Sequence, residues 1–415
     1  MSKVTRELKR LDQAQLQEII DRHLLFREAK LGGARAIFSH TDLSGLSLKN
    51  YDLSHADFTG ANLRDTDLSY CKLDYACFYI ADLRGANLTR ASLIRTDLRG
   101  AHLENALLVE ADLTAADLRE GSIGVKTPKD GLVSVSGGGK TDFTGADLRG
   151  ANLSEAKMTG IQASNANLSD AIMVNTDISR SNLQGSIMKA VNLESADLTG
   201  CDLRGSNMAG AIMTGTKLAM TETSGAIMTD VLTDAPRGPT LAKLGEPLDV
   251  LLRNHVVWVG TGGKDGKRLD VSGYDLRDIG HLRRACLTMM KGDRAILYGL
   301  DLSGAQIQAA ELVQSDLRRA NMQDADVRGT RFTGSKMDAL QARNAKFGPI
   351  PIASGYTLFS DFSGSSLRYA NFAGADLRQA NFTGCDLTHA DFTNALVDGA
   401  IFLNANLDHA KLKQA

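Results

Sequence analysis

Spaced in fives, residues 51–80 read YDLSH ADFTG ANLRD TDLSY CKLDY ACFYI. The third position of each block is Leu or Phe, the first is mostly small, and the second is usually Asp or Asn. Helices repeat every 3.6 residues and strands every 2, so a period of five predicts neither. The centres continue in steps of five through residues 38–123, 143–228, 282–347 and 362–412. Of the 61 centres, 57 are large and apolar, the exceptions being Ala163, Thr223, Gly292 and Ala342. Such residues fill only about a quarter of an average sequence, so composition alone does not produce the pattern.

A chain that turns one large and one small residue inward per five, bending between them, coils into a tube. Its backbone polar groups must then pair with the coils above and below. No block has a core of its own, and stacking creates one. Phe38, Phe58 and Phe78 recur at an interval of 20, as do Met188, Met208 and Met228, and Phe362, Phe382 and Phe402. Like residues stacked at that interval predict four blocks per coil and a square cross-section. With coils about 4.8 Å apart, the blocks before residue 230 predict a rod roughly 43 Å long.

The A(D/N)LxG pattern, as in ADLRGANL at 81–88 and again at 146–153, resembles the pentapeptide-repeat family over roughly four-fifths of the chain. The resemblance implies an all-β solenoid, a right-handed quadrilateral β-helix with four pentapeptides per coil. It also implies a bacterial origin. Members that protect type II topoisomerases are thought to do so as acidic rods mimicking double-stranded DNA.

Three stretches interrupt the fives. KTPKDGLVSVSGGGK (126–140) predicts a fifteen-residue loop insertion that keeps the register, and GPIPIASGYTLFSD (348–361) predicts a second. Between 230 and 281 the pattern dissolves, and there the chain repeats its own beginning. LQEIIDRHLLF (16–26) aligns with LDVLLRNHVVW (248–258), setting His23 against His255 and Phe26 against Trp258. A tandem duplication follows: two rods, each preceded by a capping α-helix. The expected segments are 1–37 (cap and first strand), 38–235 (first β-helix), 236–270 (second cap and turn) and 271–415 (second β-helix). Leu8, Leu11, Leu16, Ile19 and Ile20 supply the first cap's apolar stripe. Pro247 suits the first turn of the second helix. A cap is needed because the open end of a β-helix exposes unpaired backbone. The blocks run on almost to residue 415 without another cap, and Leu396 and Ile401 are apolar where the pattern is polar. That predicts an end-to-end homodimer through roughly residues 395–412.

Charge and chemistry narrow the function. The formal net charge is −2, and no run of apolar residues is long enough for a membrane span. Five cysteines, spread out and without a CxxC pair, predict reduced thiols and a cytoplasmic protein. The eight histidines show no metal-ligand spacing, and the many Asp residues are part of the repeat. SGGGKT (136–141) lacks the first Gly of a phosphate loop, Ser134 standing there, and is followed by repeat rather than helix. No enzyme, cofactor or metal is expected.

Surface features remain. Residues 36–123 carry 13 acidic and 8 basic side chains and residues 141–235 carry 11 and 6, a net −5 each. A DNA mimic 43 Å long needs about 25 negative charges, at one per roughly 1.7 Å. Residues 264–347 carry 11 acidic and 15 basic side chains, the opposite sign. Arg283, Arg284, Arg318, Arg319, Arg328 and Arg331 predict a local basic patch, without the aromatic interleaving that direct nucleic-acid binding uses. Ile172 with Ile212, and Ile187 with Ile227, predict two apolar columns forming a contact strip on the first rod. The combined expectation is a non-enzymatic scaffold for an unidentified protein partner. A DNA mimic acting on DNA gyrase or topoisomerase IV is the alternative.

Overall fold

The computed structural model describes residues 8–127, 131–135, 139–352 and 355–412. Two compact units divide the chain at Ala235 and Pro236. In both, successive coils are joined by single parallel bridges twenty residues apart, as in Asp57↔Cys77↔Asp97. The architecture is a right-handed quadrilateral β-helix, one pentapeptide to a side.

The block's composition follows from its hydrogen bonds. In the block centred on Leu63, Ala61 N donates to the Phe58 carbonyl (2.9 Å), closing a turn along the chain. Asn62 N donates to Thr41 in the coil before (2.9 Å), while Leu63 N and Asp65 N donate to Asp82 and Arg84 in the coil after (2.7 and 3.1 Å). The remaining amide, one past the centre, is met by the Asp or Asn side chain two residues earlier, as with Thr59 N to Asp57 Oδ1 at 3.0 Å. This Asx turn accounts for the Asp/Asn preference: it satisfies the one donor the ladders leave out. Two past the centre the backbone is left-handed, so Gly is frequent there. At Gly85 (φ 67°) an added Cβ would also lie 2.3 Å from Asp65 Oδ1.

The small position has a second use. At several positions where Thr, Ser or Cys replaces Ala, the side chain donates to the carbonyl of a centre one coil back. Thr66 reaches Leu43 O at 3.0 Å, Cys71 reaches Leu48 O at 2.7 Å, and Ser335 reaches Leu312 O at 2.7 Å. The bore is filled: Phe38, Phe58 and Phe78 are fully buried and stack with centroids 5.0 and 4.7 Å apart.

In the first unit, β1 (Lys9–Arg10) pairs in parallel with β2 (Thr41–Asp42), and helix α1 spans Gln13–Arg27. Asp12 caps α1, accepting from Gln15 N at 2.8 Å. Leu11, Leu16 and Ile20 join the core, Ile19 packs on it half-buried, and Leu8 is exposed, so the stripe is narrower than its sequence predicts. In the second unit, helix α2 (Leu248–Gly260) follows Pro247 and rests Leu248, Leu251 and Leu252 on that unit's core.

Three details depart from the sequence reading. The first insertion is twenty residues long, because His102 pairs with Asp142 across an interval of 40. It contains a hairpin, β3 (Ile123–Thr127) with β4 (Gly131–Val135), and Ile123 pairs with Val135 instead of serving as a centre. The alternating apolar residues of that segment also suit a strand, so the period of five extends one block beyond the coil. The second insertion includes a short antiparallel pair, β5 (Ile350–Pro351) and β6 (Thr357–Leu358). Finally, the period of five is legible only from Leu282, but Leu269, Val271 and Leu276 are already in the second unit's core, close to the expected start at 271. An extra residue near Arg277 stretches the first intervals to 21 (Asp270↔Lys291, Asp275↔Ile296) and hides the register.

Candidate functional site

With the bore filled, only walls, corners and insertions are available to a partner. On the first unit's walls, one column runs Leu107–Asp147–Asn167–Ile187–Asn207–Ile227. Leu107, Ile187 and Ile227 are exposed at 44, 40 and 50%. The neighbouring column runs Asn152–Ile172–Asn192–Ile212–Leu232, in which Ile172 is half-buried and Ile212 buried. The two columns therefore exist, but the apolar residues alternate with Asn and Ile212 is withdrawn. Leu107 was missed, although it shows the same signal, an apolar residue before the centre.

The sequence reading also missed Tyr70 and Tyr75, exposed at two corners in left-handed backbone (φ 60° each). Tyr70 lies between Lys49 Nζ at 5.5 Å and the Arg90 guanidinium at 5.8 Å, and Tyr75 stacks on His55 at 5.1 Å. Their signal was an aromatic where the block asks for Gly or Asn. Tyr and Arg are the residue types that most often anchor protein interfaces.

The basic patch does not form. Four blocks per coil put residues on a common wall only at intervals of 20, so the six arginines fall on all four walls. Arg283 and Arg284 belong with the column of His281, Arg318 and Arg319 with Asp316, Arg328 with Asp326, and Arg331 with Glu311. Arg318 is buried, forking onto Asp316 through Nε to Oδ1 at 2.9 Å and an Nη to Oδ2 at 2.6 Å. Arg283 pairs with Asp301.

That fork recurs wherever the block reads Asp-x-Arg: Asp82–Arg84, Asp97–Arg99, Asp117–Arg119, Asp147–Arg149, Asp202–Arg204, Asp326–Arg328 and Asp376–Arg378. In Asp275–Arg277, burial would raise the carboxyl, but hydrogen bonds from Arg277 and from Arg237 N hold it below the usual carboxylate range. Five of the first unit's acidic side chains, Asp82, Asp97, Asp117, Asp147 and Asp202, are thus paired with an arginine two positions on.

At the root of the β3–β4 hairpin, Tyr79 Oη accepts from Ser122 N at 2.7 Å. Arg99, Arg119, Lys140 and Arg180 line an open groove of about 500 Å³ there. Residues 136–138 of the phosphate-loop-like stretch lie outside the described residues. Thr141 is buried, taking Gly100 N at 2.9 Å, and so faces the bore.

Cys71, Cys201 and Cys385 are buried, and burial pushes their thiols up to about 12, 11 and 11. Leu396 and Ile401 are exposed at 44 and 50%, on different columns, and Leu403 at 63%. No helix among the described residues is long and apolar enough to cross a membrane.

The family profile "Pentapeptide repeats (8 copies)" matches residues 36–73, 47–85, 86–121, 139–161, 146–185, 186–230, 295–338, 360–384 and 380–415, well over half of the chain. The chain belongs to the pentapeptide-repeat family. No curated protein matches it. Among solved structures, full-length QnrB1, a plasmid-mediated fluoroquinolone resistance protein, is 15% identical, with 46% of this chain and 93% of that one covered and a TM-score of 0.18. HetL, a pentapeptide-repeat protein involved in heterocyst differentiation regulation in the cyanobacterium Nostoc sp. strain PCC 7120, is 19% identical over 96% of both chains, with a TM-score of 0.13. Rfr23 from the cyanobacterium Cyanothece 51142 is 26% identical, covering 33% of this chain and 91% of that one, with a TM-score of 0.16. Superpositions this poor carry no argument about function, and membership rests on the repeats.

Proposed function

We propose that the protein is a non-enzymatic, cytoplasmic scaffold that binds a protein partner on the walls and corners of its β-helices. The observation that carries this reading is the division between a fully packed bore and outward columns in fixed register. A stiff ladder presents side chains at set spacings, and its interior is taken up by packed centres. Tyr70, Tyr75, Ile187 and Ile227 are the proposed contacts, with the β3–β4 hairpin as a projecting element. Self-association through Leu396, Ile401 and Leu403 belongs to the same proposal, with the mass in solution by light scattering as its test.

The net charge of the first unit keeps a second reading, a DNA mimic that engages DNA gyrase or topoisomerase IV. The Asp-x-Arg forks weigh against it, since they offset charge that a mimic would need. A supercoiling assay with both purified topoisomerases separates the two. The scaffold reading expects no effect, together with a partner held by the wild type and released by combined Tyr70→Ser and Tyr75→Ser. Inhibition or protection that disappears when 126–140 is deleted would establish the mimic instead.

A further inference from the structure

The two helix–coil junctions share a construction that nothing in the scaffold reading uses. His23 on α1 and His255 on α2 are each fully buried. His23 Nδ1 accepts from Ala36 N at 3.0 Å, and His255 Nδ1 accepts from Leu269 N at 3.0 Å. Each ring stacks on an aromatic three residues later, Phe26 at 5.8 Å and Trp258 at 5.9 Å. Beside each, an arginine donates to a carbonyl of the coil: Arg35 to His55 at 2.6 Å, and Arg268 to Met289. Both Nε2 atoms are buried without an aligned partner, facing the carbonyls of Ser54 and Thr288. Each histidine is therefore the polar pin between its helix and the first coil.

The pin works only in the neutral form. An Nδ1 that accepts from an amide must lack a proton, so the ring's single hydrogen sits on Nε2. Protonation would aim an N–H at the Ala36 or Leu269 N–H, break that bond, and leave a charge in a buried site. We propose that the junctions are acid-sensitive latches: proton uptake by His23 or His255 frees α1 or α2 from its first coil and bares the strand edge beneath.

The surrounding charges favour release. Around His23, Arg27 on the same helix and Arg35 on the following segment both oppose a positive ring. Asp52 on the coil favours one, but it is already engaged by Arg27 at 3.7 Å and by Ser54 Oγ at 2.6 Å. Around His255, Arg268 opposes a positive ring and the Thr288 carbonyl favours one. Burial is the largest effect at both and lowers both from the ordinary imidazole value. With the docked value depressed, the released state binds more protons. Docking is therefore fully stable above about pH 6.5 and weakens as pH falls, on the order of tenfold per pH unit per histidine. Carboxylates titrate lower, which leaves a window between about pH 6.5 and 5.

The test is hydrogen exchange on the full chain from pH 7.5 to 5, corrected for intrinsic rates. Segments 13–36 and 248–269 should lose protection by an order of magnitude or more, while coil 58–98 keeps its own. His23→Gln and His255→Gln retain an acceptor and cannot titrate, so each should abolish the loss at its own junction alone. Unchanged protection in the wild type down to pH 5 would overturn the proposal, as would the same loss in the Gln variants. If a Gln variant fails to dock at pH 7.5, the ring titrations of the wild type by NMR decide. Values clearly below 6 support the latch, and values near 6.5 refute it. This test is independent of any partner.

Discussion

Phe58 sits between Phe38 and Phe78, with ring centroids 5.0 and 4.7 Å away and interplanar angles of 19° and 2°. All three rings are fully buried. A buried Phe removes about 150–250 Å² from water, which at ~25 cal/mol per Å² corresponds to roughly 4–6 kcal/mol, of which Ala keeps a minor part. Phe58→Ala also severs two stacks, each contributing about 0.5–1.5 kcal/mol. Backbone ladders on both sides resist collapse into the gap, so relaxation recovers little. A cost of about 4 kcal/mol is expected, within the usual range for large-to-small core changes. Phe58→Leu installs the commonest centre residue and should cost about 1–1.5 kcal/mol. Urea unfolding followed by far-UV circular dichroism is the assay, with Trp258, the lone tryptophan, reporting separately on the second unit. For a slope near 2 kcal/mol per M, the Ala variant should lower the midpoint of the first unit by about 2 M. A shift under about 0.5 M, or equal shifts for Ala and Leu, would refute the argument that stacked centres carry the stability.

Arg318→Ala should destabilise by about 3–5 kcal/mol, because it strands the buried Asp316 carboxylate, whereas Arg149→Ala, at a mostly exposed fork, should cost about 0–1 kcal/mol; thermal melts compare them. In the native protein at pH 8, Cys77 and Cys286, which are half-buried, should react with a thiol reagent well before Cys71, Cys201 and Cys385, whose thiols are held up to about 11–12. Counting modified thiols over time checks this. Ile187→Lys with Ile227→Lys should leave the melting temperature within about 1 °C and weaken partner capture, since both side chains project from the wall.

The four-sided coil was legible because one large residue in five has to reach a common bore, and the Phe columns show where the coils close. Functional detail was less legible, for a geometric reason. Arg318 and Arg328 are ten residues apart in sequence and stand on different walls, while Ile187 and Ile227 are forty apart and share a column. A patch read from neighbouring letters is therefore dispersed by the winding. The fork between Asp316 and Arg318 was within reach of the sequence, since a single residue separates the two in every Asp-x-Arg block, but its burial depends on the packing around it. The register of the second unit's first coil was hidden by a single additional residue near Arg277.

Excursions from the coil return to the same ladder at each length seen: twenty extra residues in the interval His102–Asp142, ten extra in Arg331–Asp361, and one near Arg277. The interior registers only where the chain re-enters. Corners of this kind are natural grafting ports, where a lineage can gain, lose or exchange a binding segment without refitting the residues inside. New specificities can arise by splicing at the rim while the shaft stays as it was.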